Sequence, residues 1–328
     1  MKRIVALFLV LVLTAALFSG CQLVRKSSGK PTIVVTIFPI YDWVRNVLGD
    51  EAENFELVLL MQNGSDLHSF NPGLSDMQKI RNADVFIYVG GESDHWVPDA
   101  LSGSKNKDMI VLNLMDRMGS ALREEEYVEG MVHDEEHEHE HEDEDEDEAE
   151  YDEHIWLSLR NAQLAVSAIR EAMSELDAKN ADLYQKNADA YLAELDALDQ
   201  RYCDSLSAAP LHTLVFADRF PFRYLTEDYD LDYYAAFSGC TSEVGTSITT
   251  VPFLAGKADE LGVRYILCLE SSGSNLPEKV VSMTARPTEI LSINSMQFVT
   301  RGDVDGGATY LGIMENNLDV LTKALSAE

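Results

Sequence analysis

Positive charge is scarce: 25 Lys and Arg stand against 57 Asp and Glu in 328 residues, a formal net charge of −32. Such a surface repels a phosphate backbone and excludes nucleic acid as a partner. Long apolar runs are missing after Gly20, so no later stretch is long enough to span a bilayer. Histidine is limited to eight residues and cysteine to four. No G-x-S-x-G occurs, which removes the nucleophile turn of an α/β hydrolase. What is plentiful excludes disorder across the whole chain, since hydrophobic residues make up 46% of it. The length suffices for two domains with cores of their own.

The negative charge is unevenly spread. Residues 122–153 hold 19 Asp or Glu and one basic residue, Arg123. Four of the eight histidines, His133, His137, His139 and His141, stand in the same stretch. His137-Glu138-His139-Glu140-His141 satisfies H-E-x-x-H formally, but a metalloprotease needs that motif on a buried helix with a third ligand. This run has no apolar face, so it reads as a solvated loop. Its side chains suit weak, multivalent metal capture, with His137, His139 and His141 as nitrogen donors and carboxylates that also hold Ca²⁺ or Mn²⁺ weakly.

The start of the chain reads as an export signal. Lys2 and Arg3 precede an apolar run from Ile4 to Phe18, and small residues follow. Leu17-Phe18-Ser19-Gly20-Cys21 resembles a bacterial lipoprotein processing box, which makes Cys21 the lipidated residue of a segment 1–21. Residues 22–30 read as a tether. Export implies an oxidising setting. Of Cys203, Cys240 and Cys268 one is then left unpaired, and Cys240 with Cys268 is a possible pair.

Beyond the tether, strand and helix alternate. Ile33–Phe38, Phe55–Met61, Val85–Val89 and Ile110–Leu114 read as buried parallel strands, with helices over Tyr41–Leu48 and Ser75–Asn82. Helical spacing runs from Leu164 to Leu176 and again over Ala181–Leu206, a stretch without Gly or Pro. Alternation then resumes: strand Thr213–Phe216, helix Arg219–Asp228, strand Tyr233–Phe237, helix Val251–Leu261, strands Tyr265–Leu269 and Ile290–Ile293, helix Tyr310–Leu325. The predicted fold is α/β, with two lobes built on mainly parallel sheets and joined by one long helix. The divisions are 31–178 for the first lobe, including the acidic loop 122–153, then 179–207 for the connecting helix and 208–328 for the second lobe. Ligands of such sheets bind beyond the carboxyl ends of the strands, here in the cleft between lobes.

His68 lies in a loop of turn formers after a strand, and alone it reads as a polar loop residue. His154 lies where the acidic stretch meets a helix start, and alone it reads as a capping or surface residue. Together they stand at the two edges of the predicted cleft. Neutral imidazoles so placed are suited to a transition metal.

The ordered motifs resemble the zinc- and manganese-binding solute receptors of bacterial ABC importers. Gly64-Ser65-Asp66-Leu67-His68-Ser69-Phe70 is similar to the first ligand loop, with Leu67 where Pro is usual. Ala83-Asp84-Val85-Phe86-Ile87-Tyr88-Val89-Gly90-Gly91 and Trp96 follow in the same order. Asp152-Glu153-His154-Ile155-Trp156-Leu157-Ser158 is similar to the second ligand motif, with Glu153 replacing Pro. Leu269-Glu270-Ser271-Ser272, and Thr309-Tyr310-Leu311 through Asn316-Asn317-Leu318, resemble the last lobe. The resemblance covers about residues 31–328.

This resemblance implies His68 and His154 as ligands and a rigid helix between lobes. It also expects a third ligand after a second-lobe strand and an Asp after the last strand, where this chain has Ala217 and Asn294. Asp218 and Glu243 are the replacement carboxylates the sequence offers, although Asp218 also fits a helix N-cap before Arg219. Glu270 reads as structural or cleft-lining, His212 as surface, and His95 as outside the ligand motifs. The implied function is a lipid-anchored, monomeric receptor on the outer face of the cytoplasmic membrane. It takes Zn²⁺, or alternatively Mn²⁺, to a permease and its ATPase, with no enzymatic step. Two other readings remain: an adhesin or metal buffer without transport, and an exported metallohydrolase, against which no general base stands beside the His pair.

Overall fold

The structure, a computed structural model, describes residues 29–104, 106–132, 150–241 and 249–327. The first sheet contains β1 (Thr32–Val35), β2 (Glu56–Leu59), β3 (Val85–Tyr88) and β4 (Ile110–Asn113) in the order β2-β1-β3-β4. The second contains β5 (Thr213–Phe220), β6 (Asp232–Ser238), β7 (Tyr265–Leu269) and β8 (Glu289–Ile293) in the order β6-β5-β7-β8. The pairings between these eight strands are all parallel. Both lobes thus repeat one topology, with the order reversing beside β1 and β5. The central strands are covered on both faces: Ile33, Val34 and Val35 are all fully buried. That is why they read as continuous apolar runs instead of alternating ones.

Helix α1 (Phe38–Leu48) carries Pro39 in its first turn, where a missing N–H costs nothing, and ends at Gly49 with φ 57°. α2 (Leu74–Arg81) and α3 (Val97–Ser102) flank β3 in the chain. α4 (Leu159–Leu176) is capped by Ser158, whose hydroxyl accepts the Asn161 N–H. α5 (Ala181–Ser207) is the long helix, roughly 40 Å at about 1.5 Å per residue. Its buried residues Tyr184, Ala188, Tyr191, Leu195, Leu198, Tyr202 and Leu206 recur every three or four positions. That stripe packs on α1, on α4 and on α10 (Tyr310–Ala324), so one helix touches both halves. Among the described residues no helix is long and apolar enough to cross a membrane.

The helix read as Arg219–Asp228 begins only at Arg223, and β5 runs on through Asp218 and Arg219 to Phe220. Pro221 then ends the strand, and α6 (Arg223–Asp228) follows. The β5–β6 register shifts between Phe216 and Arg219. Asp218 is therefore a strand residue at an irregularity, not a helix cap. The remaining helices are α7 (Thr250–Leu261), α8 (Leu276–Met283) and α9 (Arg301–Asp305). α8 and α9 have no counterpart in the sequence reading, and neither has α3.

Candidate metal centre

The loops beyond the strand ends meet at His68 and His154. His68 stands on a short turn, Leu67–Ser69, after β2. Asp66 holds that turn by accepting the His68 backbone N–H at 3.0 Å. His154 is fully buried. Asp152 Oδ1 accepts both its backbone N–H, at 2.8 Å, and its ring Nδ1–H, at 2.9 Å. A carboxylate on Nδ1 fixes the tautomer and puts the lone pair on Nε2.

That lone pair faces the other imidazole. His68 Nε2 lies 3.1 Å from His154 Nε2, close to the edge of about 3.3 Å that two nitrogens span on tetrahedral zinc. On its far side His68 Nδ1 is 2.8 Å from Ser93 Oγ and 3.5 Å from Glu153 Oε2. Burial, then the neighbouring His154, lowers the His68 pKa to about 3. The ring therefore stays neutral, the form a metal requires.

The second lobe adds two groups. The Gln297 amide nitrogen is 2.7 Å from His154 Nε2, and Gln297 is buried. Cys240, just past β6, brings its Sγ within 4.8 Å of the ligand nitrogens of both histidines. Burial, then Asp152, Glu125 and Glu153, pushes its thiol well above the ordinary range. A cavity of about 450 Å³ opens beside the pair, lined by His68, Ser93, Glu125, Glu153 and Cys240 among others. Glu153 Oε1 accepts the Ser93 N–H at 2.7 Å, while Glu153 Oε2 and Glu125 Oε1 are buried without a hydrogen bond. Burial raises both carboxyl pKa values.

Besides the Gln297 contact, three more hydrogen bonds tie the His154 segment to the second lobe. Trp156 Nε1 donates to Ser295 O at 2.8 Å, Tyr310 Oη to Trp156 O at 2.7 Å, and Tyr224 Oη to Asp152 O at 2.7 Å.

Of the residues singled out in the sequence, the structure brings His68 and His154 together. It does not bring Asp218 to them as a donor. The two oxygens of Asp218 accept the N–H groups of Arg219, at 2.9 Å, and Leu269, at 3.2 Å, so the carboxylate stitches β5 to β7. Ala217 is buried on β5. Asn294 Oδ1 accepts the Met296 N–H and the Asn294 backbone pairs with the Asn317 side chain, an internal brace of that loop. Glu270 accepts from Ser295 N and Oγ, the structural role expected of it. Cys203, Cys240 and Cys268 are free, so the Cys240–Cys268 pair is not formed. Glu243, His137, His139, His141 and Cys21 lie outside the described residues.

Sequence reasoning missed Gln297 and Cys240. The available signal for Cys240 was its place right after a strand, behind Gly239. A Cβ at Gly239 would sit 3.0 Å from His154 Cε1 and 2.8 Å from Phe220 O, so only glycine lets this backbone approach the ring.

Two lobes of repeated parallel topology, with His68 and His154 meeting beyond the strand ends, have the architecture of a two-lobed solute-binding protein. Residues 33–324 match the ZnuA family, zinc-uptake complex component A periplasmic, and the chain belongs to that family. The zinc-binding protein AdcA of Streptococcus pyogenes serotype M1 is 27% identical over an alignment of 332 positions that covers 98% of this chain and 61% of that protein. The zinc-binding lipoprotein AdcA of Streptococcus pneumoniae serotype 4 is 30% identical over 316 residues, 96% of this chain and 60% of the other. The chain thus spans about 60% of these relatives' length. The high-affinity zinc uptake system protein ZnuA of Bacillus subtilis is 28% identical, with 89% and 87% covered. The Zn(II)-bound structure of the ZnuA-like domain of Streptococcus pneumoniae AdcA matches with a TM-score of 0.69 at 25% identity, over 92% of this chain and all of that one.

Proposed function

We propose that the protein is the extracytoplasmic receptor of an ABC importer, held to the membrane by a lipid on Cys21. It captures Zn²⁺ between residues 31–178 and 208–328, with the helix 179–207 as the stiff connector, and hands it to a permease driven by its ATPase. The observation that carries this reading is the 3.1 Å approach of His68 Nε2 to His154 Nε2, with Asp152 on the far side of one ring. The family and the relatives named for zinc binding and zinc uptake support zinc as the cargo. A pair of imidazoles also favours zinc over manganese, which prefers oxygen donors. Capture needs no bond-making in the substrate, only displacement of metal-bound water by two neutral nitrogens.

The acidic loop adds several weak sites through His137, His139 and His141, and its residues 130–150 supply no ligand of the tight site. Titration calorimetry tests both statements. His68→Ala and His154→Ala are each expected to abolish tight zinc binding. Deleting residues 130–150 is expected to lower the number of metals bound while leaving the tightest Kd unchanged. Tight binding that survives both histidine substitutions would overturn the reading.

A further inference from the structure

We propose that Cys240 supplies a thiolate ligand from the second lobe, completing a two-histidine, one-thiolate centre; this rests on the reading of His68 and His154 as zinc ligands. The second lobe has no better donor among the described residues near the pair. Ala217 has nothing to offer, and both oxygens of Asp218 are spent on backbone N–H groups. Cys240 alone of that lobe's Cys, His, Asp and Glu residues described here joins the histidines in one donor group, all atoms within 4.8 Å. A tetrahedral zinc holds N and S ligand atoms about 3.6 Å apart, so closure takes a shift on the order of 1 Å.

The loop is built to present this side chain. Ser238 Oγ and Thr241 Oγ1 lie 3.0 Å apart across Cys240, and Arg219 Nη1 donates to Thr241 O at 3.2 Å. Gly239 brings the backbone against His154 at a spacing that no side chain tolerates. A separate observation points to a cation in the same cavity. Glu153 is 2% exposed, and its Oε2, in that cavity with Cys240, has no hydrogen bond and only the His68 Nδ1 at 3.5 Å beside it. A buried carboxylate oxygen without a hydrogen bond is costly unless a positive charge stands near it.

The binding step is balanced without an oxidant. The S–H bond of Cys240 breaks, its electron pair forms the S–Zn bond, and the proton passes through the cavity carboxylates to solvent. The thiolate offsets one of the two positive charges of zinc, which neutral Gln297 and the imidazoles do not. A soft sulfur donor also separates zinc from manganese more sharply than the carboxylate expected from Asp218.

The test uses the full chain loaded with Co²⁺ or Zn²⁺. Cobalt is expected to give a thiolate-to-metal charge-transfer band that Cys203→Ser and Cys268→Ser retain and Cys240→Ser loses. Cys240→Ser is expected to weaken zinc binding at least tenfold, by competition with a chromophoric chelator. In the unsubstituted protein, zinc should slow alkylation of Cys240 by iodoacetamide, read by peptide mapping with Cys203 and Cys268 as internal references. The alkylation result stands even if the serine variant misfolds. Loss of tight binding in His68→Ala with no charge-transfer band and no protection of Cys240 would sink the thiolate and leave the zinc reading intact. Tight binding surviving His68→Ala would sink the zinc reading itself.

Discussion

Asp66 joins the first ligand turn to the second lobe through Arg219. One carboxylate oxygen accepts the His68 N–H at 3.0 Å, and the other lies 2.5 Å from Arg219 Nη2. Arg219 in turn donates to the carbonyl of Thr241, next to Cys240. The pair is only 11% and 13% exposed at its side chains. Removing one partner therefore strands a nearly buried charge, at a cost of about 3 kcal/mol. Asp66→Ala is expected to lose about that much urea stability and to weaken zinc binding. The double variant Asp66→Ala with Arg219→Met should regain part of the stability, and a cycle showing no coupling would remove the pair from the account.

Gly239 and Gly256 make opposite cases. A Cβ at Gly239 meets Phe220 O at 2.8 Å and His154 Cε1 at 3.0 Å, whereas at Gly256 nothing lies within 4 Å. Gly239→Ala must push the backbone off the ring, costing roughly 1–3 kcal/mol and at least tenfold in zinc affinity. Gly256→Ala, inside α7, should be neutral or stabilising by about 0.5–1 kcal/mol. Equal Tm values for the two variants would contradict this contrast.

Two buried groups set opposite pH slopes in the metal-free protein. His68 takes a proton only near pH 3 in the fold, because of burial first, against 6.5 in the unfolded chain. Below pH 6.5 the unfolded state binds that proton and the folded state does not, so stability falls as pH drops from about 6.5. Asp94 behaves the other way. Burial raises it from 3.8 to about 7, and its Oδ1 has no hydrogen bond. The folded state keeps this proton above pH 3.8 while the unfolded state loses it, so stability drains as pH rises from about 4 to 7. Urea titrations should show His68→Gln flattening the acid-side slope and Asp94→Asn gaining stability at pH 8 over pH 5. Curves parallel to the parent in both variants would refute these assignments.

Much of the fold was legible because parallel strands are covered on both faces. Ile33–Val35 and Tyr265–Leu269 announce themselves as short apolar runs, and the α5 stripe as a heptad-like spacing. The short helices were not, since Val97–Ser102 and Arg301–Asp305 are too brief to show a period. β5 was cut short because Asp218-Arg219 looks like a helix start, whereas the pairing of Arg219 with β6 and the bond from the Leu269 N–H to the Asp218 carboxylate, both distant in sequence, hold those residues in the strand. His68 and His154 each read alone as a polar loop residue and a capping or surface residue, and their joint place at the cleft edges with the resemblance of the ordered motifs singled them out. Gln297 reaches His154 across 143 positions of sequence. Closeness made by a parallel crossover leaves no local trace, and adjacency drew attention to Asp218 instead.

Asp152 should prove to be the positioning residue of the centre. Its Oδ1 accepts from the His154 backbone and ring at once, at 2.8 and 2.9 Å, and the carboxylate is buried. Asp152→Asn keeps an acceptor oxygen and the side chain's size, so the turn should survive with little loss of stability. What it loses is the negative charge that raises the basicity of Nε2 and balances the cation. Partners of this kind are typically worth about 10–100-fold in metal affinity. Asp152→Ala removes the backbone brace as well and should lower both affinity and Tm. The informative comparison is therefore between the two variants. Asparagine should separate affinity from stability, with zinc Kd rising at least tenfold by chelator competition while the urea midpoint of the metal-free protein stays within error. If asparagine binds zinc like the parent, the carboxylate serves only the turn, and His154 owes its orientation to Trp156 and Gln297 instead.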